Sequence, residues 1–302
     1  MAKRFLSAAA AFGALLLLGA AQTAPGDEEI TVKGQRLTPA QARERAIAYV
    51  HATGIVAGKE AVARWVDKVC PRIIGLSAEH AAVVEARFRS IAGSVGAPLA
   101  AKGCAANVTI NFVGDGRAFT KNIAVRDGRR LGEVPYARRA ALINGEAPIR
   151  WWYLTELRSR DGKRMFGMDP SFVAADGQAA GQALPNNGES SMMTQYSSSH
   201  VSTQINRTLV SATVVVDTNR ATGATLDAVA AHAAYVALAE IQALDEPLDG
   251  SILGLFGDAP PRGLTKLDEA FLRELYALPL DRKARQQRTR LVRALQAQTT
   301  TF

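Results

Sequence analysis

The chain contains few of the residues from which metal sites and covalent catalytic sites are built. Among its 302 residues there are only two cysteines, Cys70 and Cys104, and four histidines. In an exported chain, which is what the N-terminus predicts, two cysteines favour one disulfide over a metal site or a nucleophilic thiol. We therefore expect a Cys70–Cys104 disulfide and no cofactor.

The spacing of the histidines does not match a zinc-peptidase helix. Such a helix places two histidines four residues apart, with a glutamate directly after the first, so that both imidazoles reach one metal ion. Here Ala233 follows His232, and Val236 occupies the fourth position. We therefore predict that His232 is a neutral, hydrogen-bonded core residue and that the chain holds no metal.

Two other catalytic or cofactor motifs are incomplete. The turn Gly114-Asp115-Gly116 has two glycines of a dinucleotide-binding turn, but Phe119 stands where that motif needs a third for helix packing. The loop serines lack the flanking glycines of a nucleophile elbow; they are Ser190, Ser191 and Ser199. The sequence leaves open whether the protein is an enzyme and favours one that is not.

The N-terminus has the pattern of a secretory signal peptide over residues 1–21. Lys3 and Arg4 precede the apolar run 8–18, which closes on the small residues Gly19-Ala20-Ala21. The run is too short for a membrane anchor, and no cysteine follows it for lipid attachment. We therefore predict a periplasmic or secreted protein with no transmembrane segment after cleavage.

The net charge of the chain is positive. It is +8 at pH 7 and becomes +6 when Lys3 and Arg4 leave with the signal peptide. Outside the cytoplasm, positive charge favours phospholipid head groups or acidic glycans over nucleic acid. The expected partner is an anionic envelope ligand or another protein, although solubility alone also explains a modest excess.

The rest of the chain predicts one α+β domain, a small mixed sheet packed by helices, over residues 37–297. Residues 22–36 are polar and aperiodic, which indicates a flexible lead-in. Apolar residues recur at helical spacing after the caps Thr38 and Ser77 and alternate from Val108 onward, as in a half-buried strand.

The centre of the predicted domain is a strand followed by a buried helix. Residues 209–216 are apolar enough for a central strand. After the cap Thr225, residues 226–241 are apolar on nearly all sides, which is typical of a buried helix. Between the predicted strand 149–156 and this unit lies a long loop at about 169–206, rich in glycine, serine, asparagine and glutamine.

The last part of the chain is predicted to be helical. Thr265 and Asp268 have the spacing of a capping box, and a basic helix ends the chain. Because this last helix has only two main apolar anchors, Leu291 and Leu295, we predict that it is mostly a solvated tail.

A basic segment precedes three aromatic residues in the middle of the chain. Between residues 117 and 150 basic residues outnumber acidic ones, and Trp151, Trp152 and Tyr153 follow directly. One interpretation is an anionic-ligand site formed by Arg129, Arg130, Arg150, Trp151 and Trp152. The other, which we favour, is a solvated surface beside a packed strand, because alternation places Trp151 and Tyr153 on one side without any ligand.

Three short stretches carry a family resemblance. They are Val69-Cys70-Pro71-Arg72-Ile73-Ile74-Gly75-Leu76, Gly103-Cys104-Ala105-Ala106-Asn107, and Leu264-Thr265-Lys266-Leu267-Asp268 with Leu275-Tyr276. Over about residues 69–276, the chain resembles a family of uncharacterised exported proteins of Gram-negative bacteria. That family is distantly similar to secreted proteins of unknown function whose buried helix carries a peptidase-like His-Glu pair. The resemblance implies a peptidase-like scaffold, but no glutamate follows His232 here, so no catalytic role is carried over.

Two functions are consistent with these observations. The first, which we favour, is a non-catalytic exported envelope protein that binds a partner or an anionic ligand, or has a structural role. The alternative is a hydrolase on a peptidase-like scaffold with a degenerate or unrecognised site. Its candidate residues are His232, Tyr235, Glu240 and Asp217.

Overall fold

The computed structural model describes residues 37–55, 61–160, 162, 203, 205–242 and 246–300. The predicted signal peptide and lead-in lie outside the described residues, as does nearly all of the predicted loop at 169–206. Among the helices that are described, none is both long enough and apolar enough to cross a membrane.

The described sheet has five strands, and the last of them in the chain is central. The strands are β1 Ala63–Trp65, β2 Pro71–Ile74, β3 Val108–Val113, β4 Ile149–Ser159 and β5 Ile205–Asp217. β4 pairs antiparallel with β5 along one edge. β1 and β3 both pair parallel with β5, so they share its other edge, and β2 adds to β3. The sheet is mixed, which confirms the predicted α+β class with 209–216 at its centre.

Seven α-helices pack around this sheet in the described part of the chain. They are α1 Pro39–Thr53, α2 Ala78–Ser94, α3 Gly116–Arg126, α4 Tyr136–Asn144, α5 Leu226–Leu238, α6 Lys266–Ala277 and α7 Ala284–Thr300, with short 3-10 helices at Gly128–Leu131 and Ile252–Gly254. The predicted caps Thr38, Ser77 and Thr225 each accept a hydrogen bond from a first-turn backbone N–H.

Helix α5 is buried on all sides, as its uniform apolar composition predicts. Every residue from Ala228 to Leu238 is at most 4% exposed. The helix packs against α2 and lies on the sheet face formed by Val214 and Val216 of β5. This face carries the main core of the protein.

The buried C-terminal end of α5 is stabilised by aromatic hydrogen-bond donors. The last carbonyl groups of a helix have no partner within the helix, and here they are shielded from water. Three side chains donate to them: Trp65 to Ala237 at 2.8 Å, Tyr153 to Val236 at 2.5 Å, and Tyr276 to Leu238 at 2.8 Å. The donors come from β1, β4 and α6, so the end of one helix ties three other elements together.

The opposite face of the sheet is covered by a second, thinner layer. Val215 points away from its neighbours Val214 and Val216, because successive strand residues alternate. It packs in a small core with Leu131, Leu142 and Trp152, beneath α3, the first 3-10 helix and α4. This layer contains most of the basic segment noted in the sequence.

The basic helix α7 is not the mostly solvated tail that the sequence predicts. Leu291 and Leu295 are fully buried, and α7 packs along α1 and against α6. The side chain of Gln287, 1% exposed, accepts a hydrogen bond from the backbone of Val62. The prediction is wrong because the two leucines and the buried amide are enough to hold the helix against the protein. They can do so since α1 supplies a complementary face.

The predicted disulfide is present. Cys70 and Cys104 are bonded, with their Cα atoms 6.0 Å apart. The bond joins the start of β2 to the loop that precedes β3. Asn107 in the same loop accepts from the backbone N–H of Cys70 at 2.7 Å, so covalent and hydrogen bonds fix the same junction.

Candidate functional site

The four candidate catalytic residues are each held by a different set of partners. His232 and Tyr235 are buried in α5, Glu240 follows that helix, and Asp217 ends β5. Glu240 forms a paired hydrogen bond with Arg207 of β5, at 2.6 and 2.7 Å. A fork-to-fork ion pair of this kind is already satisfied.

His232 lies among aromatic rings. Its ring centroid is 5.7 Å from that of Trp151 and 6.4 Å from that of Phe256, and the residue is 3% exposed. Burial lowers the pKa of its imidazole from 6.5 to about 4, so the ring is neutral at physiological pH, as predicted. The sequence predicts a hydrogen-bonded core histidine, but Nδ1 of His232 has no hydrogen-bond partner in the described part of the chain.

Tyr235 belongs to a buried polar cluster centred on Asp268. Its hydroxyl lies 2.6 Å from that of Tyr49, which donates to Asp268 at 2.6 Å. The same carboxylate accepts from Ser251, from the backbone of Ile252 and from both donors of Thr265, which form the predicted capping box. Burial raises the pKa of Tyr235 well above its usual value. These contacts fix α1, α5 and α6 relative to one another.

Asp217 faces the first turn of α3. Its Oδ2 accepts the backbone N–H of Gly116 at 2.9 Å and lies 4.0 Å from Nη1 of Arg150. A side chain at position 116 would place its Cβ 2.7 Å from that guanidinium nitrogen, so any larger residue here would require Arg150 to move. Asp115 caps the same turn by accepting from Ala118 at 2.9 Å, and this hydrogen bond is the main cause that lowers its carboxyl pKa.

The start of α3 therefore does not resemble a phosphate-binding turn. A dinucleotide-binding turn leaves its backbone N–H groups open to a pyrophosphate. Here the carboxylates of Asp115 and Asp217 accept N–H groups of the first turn. Two carboxylates of the protein itself therefore accept the N–H groups that would otherwise bind a phosphate.

The candidate binding residues on β4 point in opposite directions. Trp151 and Tyr153 pack on the main core, and Trp151 donates to the carbonyl of Ile241 at 2.7 Å. Trp152 is buried in the second core, and the side chain of Arg150 is only 1% exposed, with its pKa lowered by burial. These side chains pack inside the protein and do not form a common exposed surface with Arg129 and Arg130.

A charged surface lies instead on the layer formed by α3, the first 3-10 helix and α4. We call residues 116–144 the basic layer. It contains seven basic and two acidic residues, a net charge of +5 out of +8 for the whole chain. The basic residues are Arg117, Lys121, Arg126, Arg129, Arg130, Arg138 and Arg139.

The two acids of the basic layer are engaged locally. Glu133 accepts hydrogen bonds from the backbone and hydroxyl of Thr155 on the edge strand β4, and burial raises the pKa of its carboxyl. Asp127 pairs with Arg130 at 2.9 Å and with Arg129 at 3.7 Å. Both arginines nevertheless remain open to solvent, with side chains 87% exposed for Arg129 and 61% for Arg130.

The basic layer also presents two apolar side chains that sequence reasoning missed. Val125 is 78% exposed and Tyr136 is 90% exposed, whereas the other exposed large apolar residues described lie between 41% and 46%. Helical spacing could have indicated the exposure of Val125. Phe119 and Ile123 lie on the face of α3 that packs inward, and Val125 is not on that face. Helical spacing could not have indicated the exposure of Tyr136, because this residue is the first of a short helix.

The described residues contain no group of three or more histidine, cysteine, aspartate or glutamate side chains placed to hold a metal ion. Comparison with protein-family models, with curated proteins and with solved structures finds no match to this chain. The resemblance to exported Gram-negative proteins therefore stays a prediction.

Proposed function

We propose that this is an exported, non-catalytic envelope protein that binds an anionic ligand through its basic layer. The observation that carries the proposal is the exposure of Arg129 and Arg130, together with that of Val125 and Tyr136 in the same layer. Exposed arginines whose acidic neighbours are few produce a positive potential that attracts anions.

The disulfide supports the part of the proposal that concerns export. Cystine persists in oxidising compartments and is rare where thiols are kept reduced. Cys70 and Cys104 are bonded, and residues 1–21 have the pattern of a secretory leader. We propose that the mature chain begins near Gln22 and works in the periplasm or outside the cell.

The burial of the candidate catalytic residues supports the non-catalytic part. A general acid or base must reach a substrate atom within hydrogen-bond distance. Tyr235 is fully buried and Asp217 is 1% exposed, while Glu240 is bonded to Arg207. As a separate check, elemental analysis of the purified chain should find no stoichiometric zinc, and one bound ion per chain would contradict this part.

The proposal is tested by measuring binding to anionic ligands at low and high salt. Purified mature protein is sedimented with anionic liposomes or with acidic cell-wall glycan. We expect binding at low salt that falls as salt screens the charges. The double variant Arg129→Gln/Arg130→Gln should bind more weakly by about 2 kcal/mol, since each basic side chain near an anionic surface contributes about 1 kcal/mol.

A matched control removes the same charge elsewhere. Arg285 and Arg293 are exposed on α7, on the other side of the sheet from the basic layer. Arg285→Gln/Arg293→Gln should bind like the unaltered protein. Equal weakening by both pairs would show that only net charge matters, and absence of binding by the unaltered protein at low salt would overturn the proposal.

A further inference from the structure

We propose that the ligand of the basic layer is the surface of an anionic phospholipid bilayer, with Val125 and Tyr136 entering its interfacial region. This inference rests on the function proposed above and names the partner of the same surface. It makes the protein a peripheral membrane protein that docks by one face.

Two apolar side chains stand out from the basic layer. Their exposure, 78% for Val125 and 90% for Tyr136, means that they project into solvent. A side chain that lined a cleft would be covered by the opposite wall. The surface is therefore suited to a planar partner.

In the sequence, the two residues flank two exposed arginines. Val125 lies in the last turn of α3, and Tyr136 is the first residue of α4. The 3-10 helix Gly128–Leu131 between them carries Arg129 and Arg130. Exposed basic and apolar side chains on one stretch are typical of interfacial membrane-binding segments, in which the charges contact head groups and the apolar groups lie below them.

This stretch is held in a fixed conformation. Arg139 of α4 donates to the carbonyls of Val134 and Gly132, both at 2.9 Å. Leu131, 2% exposed, anchors the 3-10 helix in the second core. The backbone of this stretch therefore needs little further ordering when it binds its partner. Binding is stronger when less conformational entropy is lost.

The same geometry disfavours an acidic glycan. Protein sites for small ligands are concave and bury most of the ligand. The aromatic residues that offered stacking in the sequence, Trp151 and Trp152, pack against the two cores. Valine provides neither a hydrogen bond nor a stacking face for a sugar, whereas a tyrosine ring with its polar tip suits the membrane interface.

The expected binding is weak and reversible. Each basic side chain near an anionic surface strengthens binding about fivefold. Three of the exposed basic residues of the layer, Arg126, Arg129 and Arg130, together account for about a hundredfold. Two apolar side chains add a part that salt does not screen. Docking of this strength would concentrate the protein at a membrane without anchoring it permanently.

The test uses vesicles of phosphatidylcholine alone and of phosphatidylcholine mixed with phosphatidylglycerol. Binding to the mixed vesicles should exceed binding to the neutral ones. Val125→Ser/Tyr136→Ser should weaken binding to mixed vesicles about tenfold, which is the effect of about 1.4 kcal/mol. The matched control, Ile47→Ser/Val83→Ser, alters two less exposed apolar residues on α1 and α2 and should bind unchanged.

A spectroscopic readout separates insertion from simple charge attraction. The two native cysteines are bonded to each other, so Val125→Cys supplies one free thiol for an environment-sensitive fluorophore. On mixed vesicles its emission should shift to the blue. With heparin, a soluble polyanion, it should not shift.

The two measurements together distinguish membrane docking from binding to any anionic ligand. Binding to both vesicles and heparin with no blue shift, and no effect of Val125→Ser/Tyr136→Ser, would overturn the membrane inference while leaving anionic-ligand binding intact. Binding to neither would overturn both. Thermal unfolding of each variant shows whether a loss of binding follows from a loss of folding.

Discussion

The phenol of Tyr153 donates a 2.5 Å hydrogen bond to the carbonyl oxygen of Val236, at the buried end of α5. The two residues are far apart in the sequence, on β4 and on the helix after β5. The bond supplies a partner that a buried helix end otherwise lacks. It also links β4 to the core helix.

Removing that hydroxyl should destabilise the protein. Tyr153→Phe leaves the Val236 carbonyl with no donor in a site closed to water, which costs about 1 to 3 kcal/mol of unfolding free energy. Urea unfolding measures the change. Tyr136→Phe, which removes the same hydroxyl from a 90% exposed side chain, should leave the unfolding free energy unchanged.

Asp268 should be among the least replaceable polar residues. Asp268→Asn removes the charge that Tyr49, Ser251 and Thr265 share, and it turns one acceptor oxygen into a donor. We expect a loss of about 3 kcal/mol or more in unfolding free energy, because hydrogen bonds to a buried charge are strong. The neighbouring substitution Glu269→Gln, on the exposed side of α6, is the control. Equal effects of the two would mean that the buried cluster contributes nothing specific.

His232 should make the stability depend on pH. Its pKa is lowered from 6.5 to about 4 by burial, so between these values the unfolded chain takes up a proton that the folded chain does not. The stabilisation is complete above pH 6.5 and is lost as the pH falls to about 4, by about 3 kcal/mol in all. Urea unfolding across this range should show the fall.

The control for this dependence is a histidine at the surface. His232→Gln should unfold with a flatter pH profile, whatever its absolute stability. His51→Gln, at an exposed position on α1, should keep the slope of the unaltered protein. If the profile of His232→Gln matched that of the unaltered protein, another group would be responsible.

The disulfide should stabilise the protein mainly by restricting the conformations of the unfolded chain. Cys70 and Cys104 are separated by 34 residues, and opening a loop of that length costs about 3 to 4 kcal/mol in the chain-entropy description. Cys70→Ser/Cys104→Ser should therefore unfold at lower urea concentration. Chemical reduction of the unaltered protein should produce a similar shift, and a much smaller shift in both would show that the noncovalent contacts of the junction hold it without the disulfide.

Local patterns in the sequence predicted most of the fold. Thr38, Ser77 and Thr225 were identifiable as caps because their side chains act within one helical turn, and the burial of α5 followed from its uniform composition. The tail formed by α7 was predicted wrongly. Its burial depends on the face that α1 presents, and no local pattern reports a distant partner.

The candidate site was less predictable than the fold. Alternation correctly placed Trp151 and Tyr153 on one side of β4, but it could not show that Arg150 is buried beside Asp217. The exposure of Val125 and Tyr136 depends on how α3 and α4 lie on the sheet. Charge counting found the basic segment, and only the packing shows which of its side chains reach the surface.

The placement of β5 also governs the order in which this protein can assemble. In the described sheet, β1, β3 and β4 pair with β5 and not with one another. Before the ribosome reaches Ile205, β2–β3 is the only ladder among the described strands that can form, and pairing across such long stretches of chain is slow. A chain whose central strand is synthesised late keeps most of its described sheet unpaired during synthesis, which suits the export proposed above.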